Sequence, residues 1–213
     1  MKERVQRVST LDAPTLALVR IAAATATGDE VGLRERMIAA RAADVPVAWV
    51  EELLLQTFLN VGYPLALVAF GVWRSVAGPV ADPGESIAHP DWERWTERGV
   101  EACGKVYGRT YHKLLLNLRS LHPAIEPLVV VDAYGKILGR PGLDPKRREL
   151  TTLAALAMLN APRQVRAHLR GCLNTGATRE EVDGVLAVVE QDVPADRALR
   201  IWQLWAEERE RRL

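Results

Sequence analysis

The fold is decided by residues 138–189, which read LGRPGLDPKRRELTTLAALAMLNAPRQVRAHLRGCLNTGATREEVDGVLAVV. After a Pro-Gly turn, capping residues divide this segment into three helices. We predict that they begin at Asp144-Pro145, at Pro162 and at Thr178. The second helix stops at Gly176, a typical C′ glycine, and Thr178 with Glu181 forms the capping box that opens the third.

Two side chains in this segment could take part in proton transfer. Glu149 lies on the first predicted helix and His168 on the second. If these helices pack antiparallel across their short turn, a carboxylate and an imidazole face each other in an apolar setting. We therefore take the pair as a candidate site. The structural alternative is a buried salt bridge that fixes the register of the two helices.

Charge and composition exclude several classes of partner. The 213 residues include 28 Lys+Arg and 27 Asp+Glu, a net charge of +1, which favours neither nucleic acid nor an anionic membrane. Apolar runs such as Leu65–Trp73 are shorter than the ~20 residues that span a bilayer. The N-terminus, MKERVQRVST, lacks the apolar core of a secretory signal. We expect a cytoplasmic protein without nucleic-acid or membrane partners.

The cysteines and histidines give no metal pattern. Cys103 and Cys172 do not form a CxxC motif, which argues against a disulfide framework and against a thiolate zinc site. The other three histidines show no ligand spacing with one another. We expect no metal.

The rest of the chain also reads as helices, about ten in all, and a proline-rich linker divides them. Near the N-terminus we predict helices over 11–27, over 29–43, from an Asp44 cap to a break at Asn60-Val61-Gly62, and from Tyr63 to about Val76. The linker, residues 77–90, separates an N-terminal helical half (1–76) from a domain at 91–213. The run Val129–Val131 is compatible with a strand, but we favour a helix because no second strand exists to pair with it.

Two weaker patterns remain. Residues 36–67 and 168–199 align as a faint internal repeat, in which only the second copy has the Glu and His pair. Lys105, Arg109 and Lys113 recur every four residues, and we interpret this basic stripe as a solvated helix face rather than an anion site.

The segment GRPGLDPKRRELTTLAALAMLNAPRQVRAHLRGCLNTGATREEV (139–182) resembles the carboxymuconolactone decarboxylase family, which includes the alkylhydroperoxidase D-like proteins. Arg-Glu-Leu, the spaced His and Gly-x-Thr-x-x-Glu together carry the resemblance. It implies an all-α, alkylhydroperoxidase D-like bundle, with the repeat as a degenerate two-repeat arrangement. It also implies a homo-oligomer, commonly a trimer or hexamer.

The resemblance places Glu149 and His168 at the family's Glu and His positions. Where peroxidase members have the two cysteines of a CxxC, this chain has Ala161 and Gln164, so it is closer to the decarboxylase members. The family's Tyr-x-Gly-x-Pro is missing after the third helix. Because Val61-Gly62-Tyr63-Pro64 occurs in the first half, we hypothesise that Tyr63 reaches the site, within a chain or across an interface.

The implied activity is a cofactor-free lyase or isomerase reaction on a small carboxylated lactone or a similar acid. Such a reaction places a proton on a carbanionic carbon, which a group titrating near neutral pH does best. Either Glu149 or His168 fits the role of the acid. Among the nearby arginines, Arg140 and Arg148 are our candidates for binding a substrate carboxylate.

Two alternatives stay open at this point. One is a non-catalytic helical oligomer or binding protein that has kept the fold. The weaker one is a peroxidase that uses Cys172, which lies one turn beyond His168 but has no resolving thiol nearby in sequence.

Overall fold

The computed structural model describes residues 10–80 and 84–211, in which all regular secondary structure is helical and no strand is present. They form the helices α1 (Ala13–Thr27), α2 (Glu30–Ala42), α3 (Val47–Ala77), α4 (Trp92–Tyr107), α5 (Tyr111–Leu121), α6 (Pro145–Met158), α7 (Pro162–Asn174), α8 (Arg179–Val189) and α9 (Ala195–Glu210). Between α5 and α6, a helical turn, Ile125–Pro127, continues into a π-helical segment, Leu128–Leu138, called the π-helix below. The predicted all-α bundle is confirmed, and Val129–Val131 is helical.

Side-chain caps explain where several helices begin. The carboxylate of Asp144 accepts a hydrogen bond from the Arg147 amide at 3.0 Å, as predicted for the start of α6. At α8 the predicted capping box is complete. The Thr178 hydroxyl accepts from the Glu181 amide at 3.1 Å, and the Glu181 carboxylate accepts from the Thr178 amide at 2.8 Å.

The prediction that Asp44 caps α3 is wrong. The N-cap residue of α3 is Pro46, and Asp44 has a left-handed backbone with φ of 54°. The Asp44 amide donates to the carbonyl of Arg41 at 3.2 Å, and the Val45 amide donates to the carbonyl of Ala40 at 3.1 Å. These bonds satisfy carbonyls at the end of α2. Asp44 therefore belongs to the termination of α2.

The predicted break in α3 lies at Gly62, whose φ of 73° and ψ of 178° are not helical. This conformation is open to glycine and strained for residues with a side chain. By length and composition alone α3 is long enough to cross a membrane, a test that core helices of soluble proteins also pass. Gly62 divides α3 into halves of about 22 Å each, shorter than the ~30 Å hydrocarbon layer. The absence of a membrane partner stays a prediction.

One hydrophobic core joins residues from both halves of the chain. It extends from Leu11 to Trp205, and α1 packs against α6 within it. A smaller cluster of Cys103, Val106 and Tyr134 lies between α4 and the π-helix. The described residues of the predicted linker that follow α3 are not helical.

The order of helices agrees with the predicted repeat. Helix α1 is followed by α2 and the two halves of α3, as α6 is followed by α7, α8 and α9. Each set contains a leading core helix, and these two helices contact each other. The two-repeat origin itself stays a prediction.

Candidate functional site

Glu149 and His168 contact each other directly. Nδ1 of His168 lies 2.8 Å from Oε2 of Glu149, across the packed helices α6 and α7. The side chain of Glu149 is 2% exposed and that of His168 is 13% exposed. When the imidazole carries its proton on Nδ1, it donates this hydrogen bond to the carboxylate. The two side chains, both largely shielded from solvent, are therefore placed to share a proton.

A glycine makes room for this contact. Gly171 lies on α7 three residues after His168, and so on the same side of the helix. A methyl group at Gly171 would lie 3.0 Å from Cδ of Glu149 and closer still to Oε2. It would also lie 3.0 Å from a methyl carbon of Val106 on α4. Gly171 thus lets α7 approach both α6 and α4 at the carboxylate.

A cavity of about 560 Å³ opens beside Glu149. Its walls come from α4, the π-helix, the loop 139–144 and the start of α6, and Trp49 of α3 completes them. Glu149 is among the lining residues, and His168 is not. Glu149 is therefore the member of the pair that borders the cavity, although its side chain is less exposed than that of His168.

One face of α4 forms a long side of the cavity. Arg98, Glu101, Ala102, Lys105 and Val106 all line it, at the three- and four-residue spacing of a helix face. Lys105 belongs to the basic stripe that we interpreted as solvated. It is exposed, but it also borders the cavity.

Two glycines bring α4 and the π-helix into backbone contact. A methyl group at Gly99 would lie 2.9 Å from the carbonyl carbon of Val130, and one at Gly135 would lie 2.9 Å from that of Trp95. Each would approach the carbonyl oxygen more closely still. The absence of a side chain at Gly99 and Gly135 lets the two helices pack backbone to backbone, and this close packing shapes the cavity wall.

The predicted substrate ligands Arg140 and Arg148 both line the cavity, but both bind Glu52 of α3. Nη2 of Arg148 lies 2.8 Å from one carboxylate oxygen, and Nε and Nη2 of Arg140 lie 3.0 Å from the other. All three side chains are buried. This Arg–Glu–Arg cluster therefore carries one net positive charge within the wall.

Other N–H groups of these two arginines donate hydrogen bonds to neighbouring carbonyl and side-chain oxygens of the protein. Arg148 donates to the carbonyls of Leu143 at 3.1 Å and Arg140 at 3.1 Å, and to Gln56 at 3.3 Å. Arg140 donates to the carbonyl of Glu85 at 2.6 Å. Burial lowers the pKa of Arg148, and its hydrogen bond with Glu52 opposes that effect. Direct contact of either arginine with a substrate stays a prediction.

Arg98 is held in place from two sides. Its Nε donates to the carbonyl of Gly135 at 2.5 Å and its Nη1 to the carboxylate of Glu85 at 2.6 Å. Hydrogen bonding to Arg98 keeps the pKa of Glu85 below its usual range. The Arg98 guanidinium therefore ties α4 to the π-helix and to the segment before α4.

Two tyrosines line the inner side of the site. Tyr134 borders the cavity and packs edge-on against Tyr107, with ring centroids 6.2 Å apart. Burial raises the pKa of Tyr107 to about 12 and that of Tyr134 well above its usual range, and the nearby Glu149 carboxylate adds to both effects. Both phenols therefore stay protonated at neutral pH.

The cysteines are buried. Cys172 is 0% exposed, and burial raises the pKa of its thiol well above the usual range. Burial and the Glu149 carboxylate raise the pKa of Cys103 to about 12. Since the thiolate is the reactive form, neither side chain is set up as a nucleophile. The structure thus gives no support to the peroxidase alternative.

Tyr63 lies away from the cavity within this chain. It follows the break in α3, is 73% exposed and packs edge-on against Phe58, with ring centroids 4.9 Å apart. It is not among the residues that line the cavity. A contribution of Tyr63 to a neighbouring chain's site, and the homo-oligomer itself, stay predictions.

Sequence reasoning missed Glu52 and the cavity side of α4. Glu52 is 96 positions from Arg148, and no local pattern indicates that pairing. For Lys105 a signal was present, because Arg98, Glu101 and Lys105 share a helix face with the small residue Ala102. In the described parts of the chain, no group of three or more His, Cys, Asp or Glu residues is arranged to hold a metal ion.

Comparison with known proteins finds similarity in the part of the chain that contains Glu149 and His168. The profile of the Carboxymuconolactone decarboxylase family matches residues 129–207. The 4-carboxymuconolactone decarboxylase of Acinetobacter baylyi is 32% identical over 91 residues, which are 42% of this chain and 68% of that protein. Nitrosuccinic acid decarboxylase of Metarhizium robertsii is 33% identical over 92 residues, 42% of this chain and 63% of that protein.

The name of a further relative states no reaction. Peroxisomal protein 2 of Schizosaccharomyces pombe is 29% identical over 133 residues, 62% of each chain. The chain thus spans about two thirds of the length of these relatives. Because the profile includes both Glu149 and His168, and the Acinetobacter protein is matched over 68% of its length, the chain belongs to the carboxymuconolactone decarboxylase family.

Proposed function

We propose that this protein decarboxylates a small carboxylic acid by proton transfer without a cofactor, and that Glu149 delivers the proton. The observation that carries the proposal is the Glu149–His168 pair, 2.8 Å apart, with the carboxyl group facing a cavity of about 560 Å³. Two relatives named as decarboxylases support the reaction class.

The proposed step balances without an external oxidant or reductant. The bond between the carboxylate carbon and its neighbour breaks, and carbon dioxide leaves. The electron pair passes to that neighbouring carbon and is delocalised into a conjugated carbonyl of the substrate. Glu149 starts as the neutral carboxyl group, protonates the carbon and is left as a carboxylate. Water then gives one proton to the neutral imidazole of His168, and the resulting imidazolium passes its Nδ1 proton to Glu149, so each turnover takes up one proton from water.

The positions of the two residues support a different role for each. Glu149 lines the cavity and can reach a bound substrate, so it is the proposed catalytic residue. His168 is its hydrogen-bond partner outside the lining, so it is a positioning residue and proton store. Burial of the pair strengthens its electrostatic interaction, because little water is present to screen it.

The test is release of carbon dioxide from a panel of small unsaturated lactone acids and 3-oxo acids, with protein dialysed against a chelator. We expect turnover of at least one compound and a loss of about 10²- to 10⁴-fold in kcat for Glu149→Gln. The matched control is Glu93→Gln on the exposed side of α4, away from the cavity. It should leave kcat unchanged. Circular dichroism checks that both variants fold.

Two results would overturn the proposal. One is full activity of Glu149→Gln, which would remove the proton donor from the mechanism. The other is no turnover of any compound, which would favour the non-catalytic member of this fold.

A further inference from the structure

The helices of the two halves of the chain correspond at a constant spacing. Helix α1 begins at Ala13 and α6 at Pro145, 132 positions later, and α2 and α3 precede α7 and α8 by the same number. The half of α3 that follows Gly62 precedes α9 by that number too. At this spacing Ala17 takes the place of Glu149, and Arg36 takes the place of His168.

A second cavity, of about 510 Å³, lies at this equivalent place between α1 and α2. Arg36 is among its lining residues. Three residues of α1 line it, and all three correspond to residues of α6 that line the cavity beside Glu149, called the first cavity below: Ala13 to Pro145, Leu16 to Arg148 and Ala17 to Glu149. The two cavities are therefore equivalent in position and differ in their side chains.

The second cavity has fixed positive charge in place of the proton-transfer pair. Ala17 has no side-chain proton to give, and the guanidinium group of Arg36 stays protonated at physiological pH. Arg20, about one turn after Ala17 on α1, lines the same cavity. Such a cavity suits the binding of an anion rather than acid–base chemistry.

Both guanidinium groups are accessible to a ligand. Arg20 is exposed and forms no ion pair or hydrogen bond with the residues that the structure describes. Nη1 of Arg36 donates to the carbonyl of Gly32 at 3.1 Å, and its Nη2 lies 3.7 Å from a carboxylate oxygen of Asp192. That ion pair is longer than a hydrogen bond, and its side chains are 32% and 39% exposed, so an anion can compete for Arg36.

We propose that the second cavity binds a small monocarboxylate without turning it over, and that Arg20 and Arg36 hold the carboxylate group. The apolar part of the ligand packs against Leu16 and Ala17. A guanidinium group matches a carboxylate because its N–H donors form two parallel hydrogen bonds. Glu35 also lines the cavity, and its negative charge would repel a second carboxylate on the ligand. The binding does not involve the first cavity, so it is independent of the proposed decarboxylation.

Titration of isotope-labelled protein with butyrate, followed by NMR, tests the proposal because each cavity has its own backbone amides as reporters. We expect the amides of Ala17 and Ala39, which line the second cavity, to shift and to saturate at butyrate concentrations on the order of millimolar. Butanamide, a neutral compound of the same size, should shift them little. Arg20→Gln and Arg36→Gln should each weaken butyrate binding about three- to tenfold, the value of a charge-assisted hydrogen bond at a partly exposed site.

Arg34→Gln is the matched control, because Arg34 is an exposed arginine of α2 outside the cavity. This variant should bind butyrate as the wild type does. Glu149→Gln, which alters only the first cavity, should keep the butyrate binding of the second even though it loses turnover. The dispersion of the amide spectrum checks that each variant folds.

Three results would overturn the proposal. One is an equal response of the Ala17 and Ala39 amides to butyrate and butanamide, including no response to either. Another is an unchanged butyrate affinity in Arg20→Gln or in Arg36→Gln. The third is a set of butyrate shifts confined to residues that line the first cavity.

Discussion

Replacing Gly171 by alanine should break the contact between Glu149 and His168. The added methyl group would lie 3.0 Å from Cδ of Glu149, inside the ~3.5–4.0 Å at which carbon atoms pack. Oε2, which is closer still, is the atom that His168 contacts at 2.8 Å. A shift of about 1 Å in this oxygen takes the pair beyond the ~3.2 Å limit of a good hydrogen bond.

The magnitude follows from three terms. Loss of a charge-assisted hydrogen bond costs ~1.5–3 kcal/mol, and overpacking costs ~1–3 kcal/mol. The better helix propensity of alanine returns ~1 kcal/mol. We therefore expect Gly171→Ala to lower the free energy of unfolding by about 1.5–5 kcal/mol and to reduce decarboxylation with it.

The measurement is urea unfolding followed by circular dichroism, with Gly104→Ala as the matched control. Gly104 also lies in a helix, but no atom outside its own helix's backbone lies within 4 Å of the position where its methyl group would stand. Gly104→Ala should be as stable as the wild type or up to ~1 kcal/mol more stable. If Gly171→Ala is as stable as Gly104→Ala and fully active, neither stability nor activity depends on the present position of the Glu149 carboxylate, and the prediction is wrong.

Three further outcomes follow from buried groups. Glu52→Gln leaves two buried guanidinium groups without their counter-charge and should cost about 3–5 kcal/mol in urea unfolding; a loss below 1 kcal/mol would contradict this. Cys103 and Cys172, whose thiol pKa values are raised by burial, should resist a thiol reagent at pH 8 until the protein unfolds, and rapid labelling of the native state would disprove it. Hydrogen bonding to Arg170 lowers the pKa of Glu208 in the folded protein. The ionised Glu208 therefore stabilises the fold at pH values above its unfolded-state pKa of ~4.3. This stabilisation is lost as the pH falls through the pKa of Glu208 in the folded protein. Glu208→Gln should flatten this acid limb of the stability curve, and an unchanged limb would exclude Glu208 as its source.

The parts of the fold that local chemistry determines were predictable. Asp144 and the Thr178 capping box begin their helices as expected, and Gly62 breaks α3 where the sequence has Asn-Val-Gly-Tyr-Pro. The prediction that Asp44 caps α3 was wrong because aspartate is common both as an N-cap and in the left-handed conformation at a helix end. Only the hydrogen bonds of the preceding helix distinguish the two cases.

The candidate site was predictable only where it lies within one segment. Glu149 and His168 are 19 residues apart on consecutive helices, so a short turn brings them together. The cavity wall depends on α4, which is distant in sequence, and on Gly99 and Gly135, whose close packing no helical pattern reveals. The role of Arg148 depends on Glu52, 96 residues away. Such pairings come from tertiary packing, which sequence periodicity does not encode.

The decisive measurement is a double-mutant cycle on decarboxylation with Glu149→Gln, His168→Gln and the variant that combines them. If Glu149 carries the proton and His168 acts through it, the two residues form one unit and their effects are not additive. We predict that Glu149→Gln loses about 10²- to 10⁴-fold in kcat and that His168→Gln loses less. The combined variant should be no slower than Glu149→Gln alone. Losses that multiply in the combined variant would show that the two residues act independently, and would contradict proton delivery through Glu149.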